Sequence, residues 1–265
     1  MGNPQGGAIF EVAEAYERQR GRSSKILAPL FVEFVGVQGE VLDVGCGTGA
    51  LTFAVAKSQA VSKVVAVDLS EGFLAYASAQ TDDPRVRFEA GDAQKLPYPD
   101  GSFDCCLALL VMSFIPDAFK AAAEMRRVTR PGGAVATAMW DNSGGNDLNQ
   151  SLWEAALPLD PKAPQPKDRP GAYGTEKELT ELWVSAGLTE IETKNIIFQC
   201  AFSSFDEYWQ PLVEGQGPAG AYLARLSQDH RGALREQLRQ NLLGKRSDGP
   251  ITLKAKAWAV RGIVP

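Results

Sequence analysis

At 265 residues, with 45% hydrophobic and 22% charged side chains, the chain is long enough for one large domain, or for one domain with a sizeable cap. Its net charge of -5 and the lack of any Lys/Arg block argue against a surface that tracks nucleic-acid phosphates. Four cysteines (Cys46, Cys105, Cys106, Cys200) in no paired framework, with no Cys-x-x-Cys, make a disulfide scaffold and a zinc site unexpected and point to a reducing, cytoplasmic compartment.

In chain order, Met1 to Gly7 is polar and glycine-rich, without the basic and apolar parts of a signal peptide. Ile9, Val12, Ala13 and Tyr16 share one helical face, and a second helix is predicted over Ser24 to Val35. An apolar strand, Val41 to Val44, then runs into Gly45-Cys46-Gly47-Thr48-Gly49 and a helix-like segment, Ala50 to Lys57. Further strands are predicted at Lys63 to Asp68, Val86 to Ala90, Phe103 to Met112 and Ala134 to Trp140. Helices are predicted at Gly72 to Gln80, opened by Ser70, and at Asp117 to Val128. This alternation predicts a doubly wound α/β fold, a parallel sheet covered on both faces. The longest apolar run, Cys105 to Met112, is far short of the roughly 20 residues that a membrane helix needs.

After Trp140 the composition changes. Asp141 to Asn146 is a Gly/Asn turn cluster, and Asp160 to Gly171, with Pro161, Pro164, Pro166 and Pro170, is read as irregular. A helix over Glu176 to Ala186 and strands at Ile191 to Phe202 and Ile251 to Val264 complete a mostly parallel, seven-stranded sheet, the late pair at its far edge. Between those strands Phe205 to Val213, Ala219 to Gln228 and Gly232 to Leu243 read as a helical cap. The predicted division is a helical lid segment (1–40), an α/β domain (41–202 with 250–265) and a cap (203–249).

Four features fall in order along the α/β part. Glycines at alternate positions let the backbone turn tightly and approach a ligand, and such a turn between strand and helix is where open α/β sheets bind nucleotide-like cofactors. Asp68 ends the next strand about twenty residues on, where a carboxylate can take two ribose hydroxyls. Gly91-Asp92-Ala93 follows the third strand. Phe103-Asp104 opens the fourth, and Arg130-Pro131-Gly132-Gly133 precedes the fifth; this last feature marks the opposite end of the sheet and speaks to fold.

Together these resemble the class I S-adenosylmethionine-dependent methyltransferases, in the small-molecule branch that includes ubiquinone and menaquinone biosynthesis enzymes. The resemblance covers about Val41 to Trp140. It implies S-adenosylmethionine as cofactor, with Asp43, Gly45, Cys46 and Gly47 along the methionine moiety and Asp68 on the ribose. It places Leu69 on the adenine, Asp92 at the adenine amino group with Ala93 beside it, and Leu109 beneath the ribose and sulfonium. The flanks, Ala15-Tyr16-Glu17-Arg18 with Gly21-Arg22-Ser23-Ser24 and the ending Ala257 to Gly262, look like a bacterial subgroup that often has Trp where this chain has Ser23. By that likeness Tyr16 and Arg22 belong near the cofactor. A guanidinium suits its carboxylate and an aromatic face suits its sulfonium.

Simpler roles stand beside these. Asp68 can cap a helix, although Ser70 is available for that, and a turn aspartate such as Asp92 often serves its own backbone. Cys46, Cys105 and Cys106 read as packed rather than reactive, Asp104 as structural, and His230, the only histidine, as a surface residue. Tyr16 reads as either core or lid, and Arg22 as either a cofactor contact or a surface residue.

Methyl transfer to a small molecule needs mainly alignment and exclusion of water, which are worth about 7–11 kcal/mol of barrier. With a single histidine, an amine, thiol or already acidic oxygen is favoured as acceptor over one that needs a general base. Ser113, Trp140 and Asp141 end the fourth and fifth strands and are the acceptor-pocket candidates, roofed by the cap. No catalytic residue, metal ligand, membrane span or oligomeric state is assigned. Two alternatives remain: a nicotinamide-dependent oxidoreductase, whose G-x-G-x-x-G spacing differs from Gly45-x-Gly47-x-Gly49, and a non-catalytic S-adenosylmethionine-binding protein on the same fold.

Overall fold

The computed structural model describes residues 13–165, 173–214 and 217–265. The expectations for Met1 to Gly7, Ile9, Val12, Pro166, Pro170 and Gly171 lie outside the described residues.

Seven strands form a single sheet: β1 (Gly39–Val44), β2 (Val61–Asp68), β3 (Val86–Ala90), β4 (Phe103–Leu109), β5 (Thr129–Trp140), β6 (Thr189–Phe202) and β7 (Ile251–Ile263). Their order is β3-β2-β1-β4-β5-β7-β6. The first five pair in parallel, and β7 runs antiparallel to both β5 and β6. The predicted α/β fold is the observed one, with the two late strands at the far edge.

Alternation along each buried strand fills two cores at once, because successive side chains point to opposite faces. Leu42 and Val44 join one core and Val41 the other, and the vicinal Cys106 and Cys105 are divided in the same way. On the first face α5 (Ala118–Val128) and α7 (Glu176–Ser185) cover the sheet, with Trp183 Nε1 donating to the Val135 carbonyl at 2.9 Å. On the second, α2 (Arg22–Val35) and α3 (Ala50–Ala56) bury Leu27, Phe31, Leu51 and Val55. The N-terminal segment reaches α2 through a short helix, α1 (Ala13–Tyr16), and one π-helical turn, Glu17–Gly21. The helix α4 (Glu71–Ser78) starts as predicted, Ser70 Oγ accepting from the Phe73 N–H at 3.3 Å.

Two readings need correction. The fourth strand stops at Leu109, not Met112, because Leu110 takes a left-handed φ of 60° and turns the chain. The turn leads Met112 into the core. Also, a helix absent from the sequence reading, α6 (Asp147–Ala156), follows the Gly/Asn cluster. Its Leu152, Trp153 and Ala156 share an apolar cluster with α8 (Phe205–Val213), α9 (Gly217–Arg225) and α10 (Gln228–Leu243). The cap core therefore draws on 147–156 as well as 203–249. Phe205, Tyr208, Trp209 and Tyr222 are buried within it and hold the cap together.

Candidate active site

The turn after β1 is held from both neighbours. Gly45 N–H and Cys46 N–H donate to the Val67 carbonyl at 2.8 and 3.0 Å, and Gly47 N–H donates to Asp68 Oδ2 at 2.8 Å. The second Asp68 oxygen accepts the Ser70 N–H at 2.9 Å. Gly45 has φ +70°, and a Cβ there would overlap Val111. Gly47 has φ +53°, and a Cβ there would meet nothing within 4 Å. The first glycine answers to packing, whereas the second faces open space that a ligand can enter.

Beneath the turn lies a hollow of about 30 Å³, lined by Tyr16, Asp43, Gly45, Cys46, Gly47 and Leu109, among others. Asp43 is fully buried at the end of β1. Its Oδ2 accepts the Thr52 hydroxyl at 2.6 Å, while its Oδ1 has no hydrogen-bond partner among the described residues. Burial pushes the Asp43 carboxyl up to about 7, against the hydrogen bond from Thr52. A buried carboxylate oxygen with no partner is costly, and a cationic ligand group in the hollow would relieve it. Burial likewise raises the Cys46 pKa well above the usual thiol value, so this side chain is a packed thiol, not a nucleophile.

The N-terminal segment closes over the same turn. Glu17 Oε1 accepts the Thr48 hydroxyl at 2.5 Å, and its other oxygen pairs with Lys25 at 2.5 Å. The Tyr16 ring lies 5.3 Å from that of Phe73 on α4. Leu69, next to Asp68, is 71% exposed, a large apolar side chain with little protein cover. Asp92 Oδ1 accepts the Gln94 N–H at 2.8 Å in a local turn, and Ala93 packs on the core.

On the other side of Tyr16 a larger cavity, of about 360 Å³, opens under the cap. Tyr16 lines both spaces. Ser113 and Trp140 line the cavity, together with Arg20, Asn149, Leu152 and Trp153. The last three lie on α6, so the sequence reading lost them with the helix. The spacing Leu148, Leu152, Ala155 carried the signal. Arg20 carries no motif in the sequence that marks it for the cavity.

Two expected site residues stand elsewhere. Asp141 is fully buried but outside the cavity. It pairs with Lys256 Nζ at 2.9 Å and accepts from Ser143 Oγ at 2.5 Å and Asn195 Nδ2 at 3.1 Å. Burial acts to raise its pKa, but these three partners together hold the carboxyl below the ordinary value. It is a structural strut with its oxygens occupied. Arg22 bonds to the Ala201 carbonyl and Glu207 and stacks 4.9 Å from the Phe202 ring centroid, at the base of the cap. Two residues apart on helical backbone, Arg20 and Arg22 project to different sides, and Arg20 is the one at the cavity. His230, exposed in the first turn of α10, lines neither space.

The methyltransferase domain family matches residues 42–137. A malonyl-[acyl-carrier protein] O-methyltransferase of Pectobacterium atrosepticum is 37% identical over 151 residues, 56% of each chain. One of the same description from Geobacter sulfurreducens is 30% identical over 190 residues, 71% of this chain and 68% of that one. The matched stretch thus spans little more than half of the Pectobacterium relative. Among solved structures, a Haemonchus contortus phosphoethanolamine N-methyltransferase in complex with S-adenosyl-L-methionine has the same fold, with a TM-score of 0.58 at 20% identity over 96% of this chain and 56% of that one.

Proposed function

This chain belongs to the class I S-adenosylmethionine-dependent methyltransferases, and we propose that it transfers a methyl group from that cofactor to a small-molecule acceptor. One observation carries the proposal: Tyr16 lines both the hollow at the glycine turn and the apolar cavity under the cap. A methyl donor in the first space and an acceptor in the second would meet at this ring. Family membership sets aside the nicotinamide reading.

When bound, S-adenosylmethionine supplies a methyl carbon activated by a sulfonium, open to attack by an acceptor lone pair. The chain's own residues bind and orient. Asp43, which lines the hollow and whose Oδ1 has no partner among the described residues, is the group to accept from the methionine ammonium. Asp68, already fixed by Gly47 and Ser70, keeps lone pairs for the ribose hydroxyls. Leu69 offers the adenine an apolar face, Asp92 lies one strand further along for its amino group, and Leu109 walls the hollow. The Tyr16 face suits the positive sulfonium. Trp140, Trp153 and Leu152, backed by the cap, exclude water from the acceptor side.

Among the described residues that line the cavity there is no Asp, Glu or His. This favours an acceptor that needs no general base. It also supports a small molecule over nucleic acid, in line with the net charge of -5. No described helix is long and apolar enough to cross a membrane. We place the protein in the cytoplasm on its four buried free thiols.

The test is release of S-adenosylhomocysteine on incubation with S-adenosylmethionine and a panel of small acids, phenols, amines and thiols. Acceptor-dependent release is expected. Firm cofactor binding with no release across the panel would favour the non-catalytic alternative.

A further inference from the structure

The charge pattern of the N-terminal segment is uneven. Arg18 pairs with Glu214 and Arg22 with Glu207. Arg20, between them, is half-buried and has no carboxylate partner among the described residues. Among the described residues its hydrogen bond runs from Nη1 to Asn149 Oδ1 at 2.7 Å. Burial lowers its pKa, while the phenols of Tyr16 and Tyr208 act the other way. Holding a guanidinium partly out of water with no counter-ion among the described residues is costly, and an anionic group arriving with a ligand would offset that cost.

The surroundings narrow that ligand. Among the described lining residues of the cavity Arg20 is the only charged one. A single positive charge in an apolar space balances a monoanion and leaves a phosphate dianion under-neutralised. The planar fork of a guanidinium matches the two oxygens of a carboxylate. Asn149, its Oδ1 committed to Arg20, has an amide NH2 with no protein acceptor among the described residues and adds a donor beside the fork. Arg20 does not line the hollow that holds Asp43, so it is not placed for the methionine end of the cofactor.

We propose that the acceptor carries a carboxylate, held by Arg20 and Asn149 in the cavity under the cap. This rests on the methyltransferase reading for the word acceptor. The carboxylate subsite itself stands on the cavity alone, and the test keeps the two apart.

The probes are octanoate and its neutral isostere octanamide, titrated by calorimetry into the full chain with S-adenosylhomocysteine at saturation. Wild type is expected to bind octanoate about tenfold more tightly than octanamide. In Arg20→Gln the octanoate affinity is expected to drop to that of octanamide, with octanamide and S-adenosylhomocysteine binding unchanged. Asn149→Asp gives Arg20 a counter-ion in place and is expected to abolish the preference, which keeps the test open should Arg20→Gln fail to fold. Equal affinities of the two probes for wild type, or binding of neither, would overturn the proposal. So would loss of S-adenosylhomocysteine binding in Arg20→Gln with the carboxylate preference kept, since Arg20 would then serve the cofactor. Failure of wild type to bind S-adenosylhomocysteine would contradict the cofactor reading, and the octanoate preference, measured without it, would still decide the subsite.

Discussion

Asp68 Oδ2 accepts the backbone N–H of Gly47 at 2.8 Å, which ties the end of β2 to the turn that follows β1. Burial raises the Asp68 pKa, and the N–H groups of Ser70, Gly47 and Leu69 act against that rise. Asp68→Ala would free the turn and remove the ribose acceptor together. The expected result is a ten- to hundredfold loss of S-adenosylhomocysteine affinity, the worth of one or two hydrogen bonds to a charged group, roughly 1.5–3 kcal/mol. Calorimetry on folded variant protein checks this, and an unchanged affinity would remove Asp68 from the site.

The sign of the pH response follows from Asp43. Its folded pKa of about 7 stands above the ordinary 3.8, through burial first, with the Asp68 charge adding and Thr52 opposing. Between those values the folded chain holds a proton that the unfolded chain has released. Stability of the ligand-free protein from this group is therefore greatest at low pH and falls as pH rises toward 7. An ammonium in the hollow favours the ionised form, so binding is expected to release a proton near pH 6 to 7, and affinity is expected to rise with pH across about pH 5 to 7. Titrations in buffers of different ionisation enthalpy measure the proton directly. Asp43→Asn should abolish both the release and the pH dependence.

The two glycines of the turn separate fold from binding. In Gly45→Ala the new Cβ would overlap Val111, and overpacking of this kind costs about 1–3 kcal/mol. In Gly47→Ala the Cβ meets no protein atom within 4 Å, so the cost to folding is the left-handed conformation alone, about 1–2 kcal/mol. Thermal melts should rank Gly45→Ala as the less stable variant. Gly47→Ala should keep its fold yet lose cofactor affinity more than tenfold, because its methyl enters the open side of the turn.

The sequence made the sheet legible because β1, β2 and β4 carry short apolar runs closed by turns, and the glycine spacing followed by Asp68 pointed to the turn after β1. What it hid follows from long-range pairing and local register. Asp141 reads like a pocket residue at a strand end, and Asn195 and Lys256, far along the chain, show it to be a strut. Arg22 and Arg20 are chemically alike, and the projection of one π-helical turn decides which reaches the cavity. The helix α6 was masked by the Gly/Asn cluster before it and the proline-rich stretch after it. The apolar run of β4 continues through Leu110 to Met112, but the backbone turns left-handed at Leu110 and ends the strand at Leu109.

Asp141→Ala tests the strut. Removing one partner of a buried ion pair leaves Lys256 Nζ its bond to the Gly144 carbonyl but no counter-charge among the described residues, and breaking such pairs costs about 3–5 kcal/mol. The melting temperature is expected to fall sharply. Turnover per folded molecule, and its pH profile, should stay as in wild type. A changed pH profile in folded protein would restore a proton-transfer role for this carboxylate.

Calorimetric titration of the wild-type chain with S-adenosylhomocysteine is the most direct measurement of whether the glycine turn, Asp43 and Asp68 hold the family's cofactor. Saturable binding at one site per chain is expected, weakened in Asp68→Ala, and with no comparable binding of a nicotinamide dinucleotide. Folded protein that takes up no S-adenosylhomocysteine would contradict it.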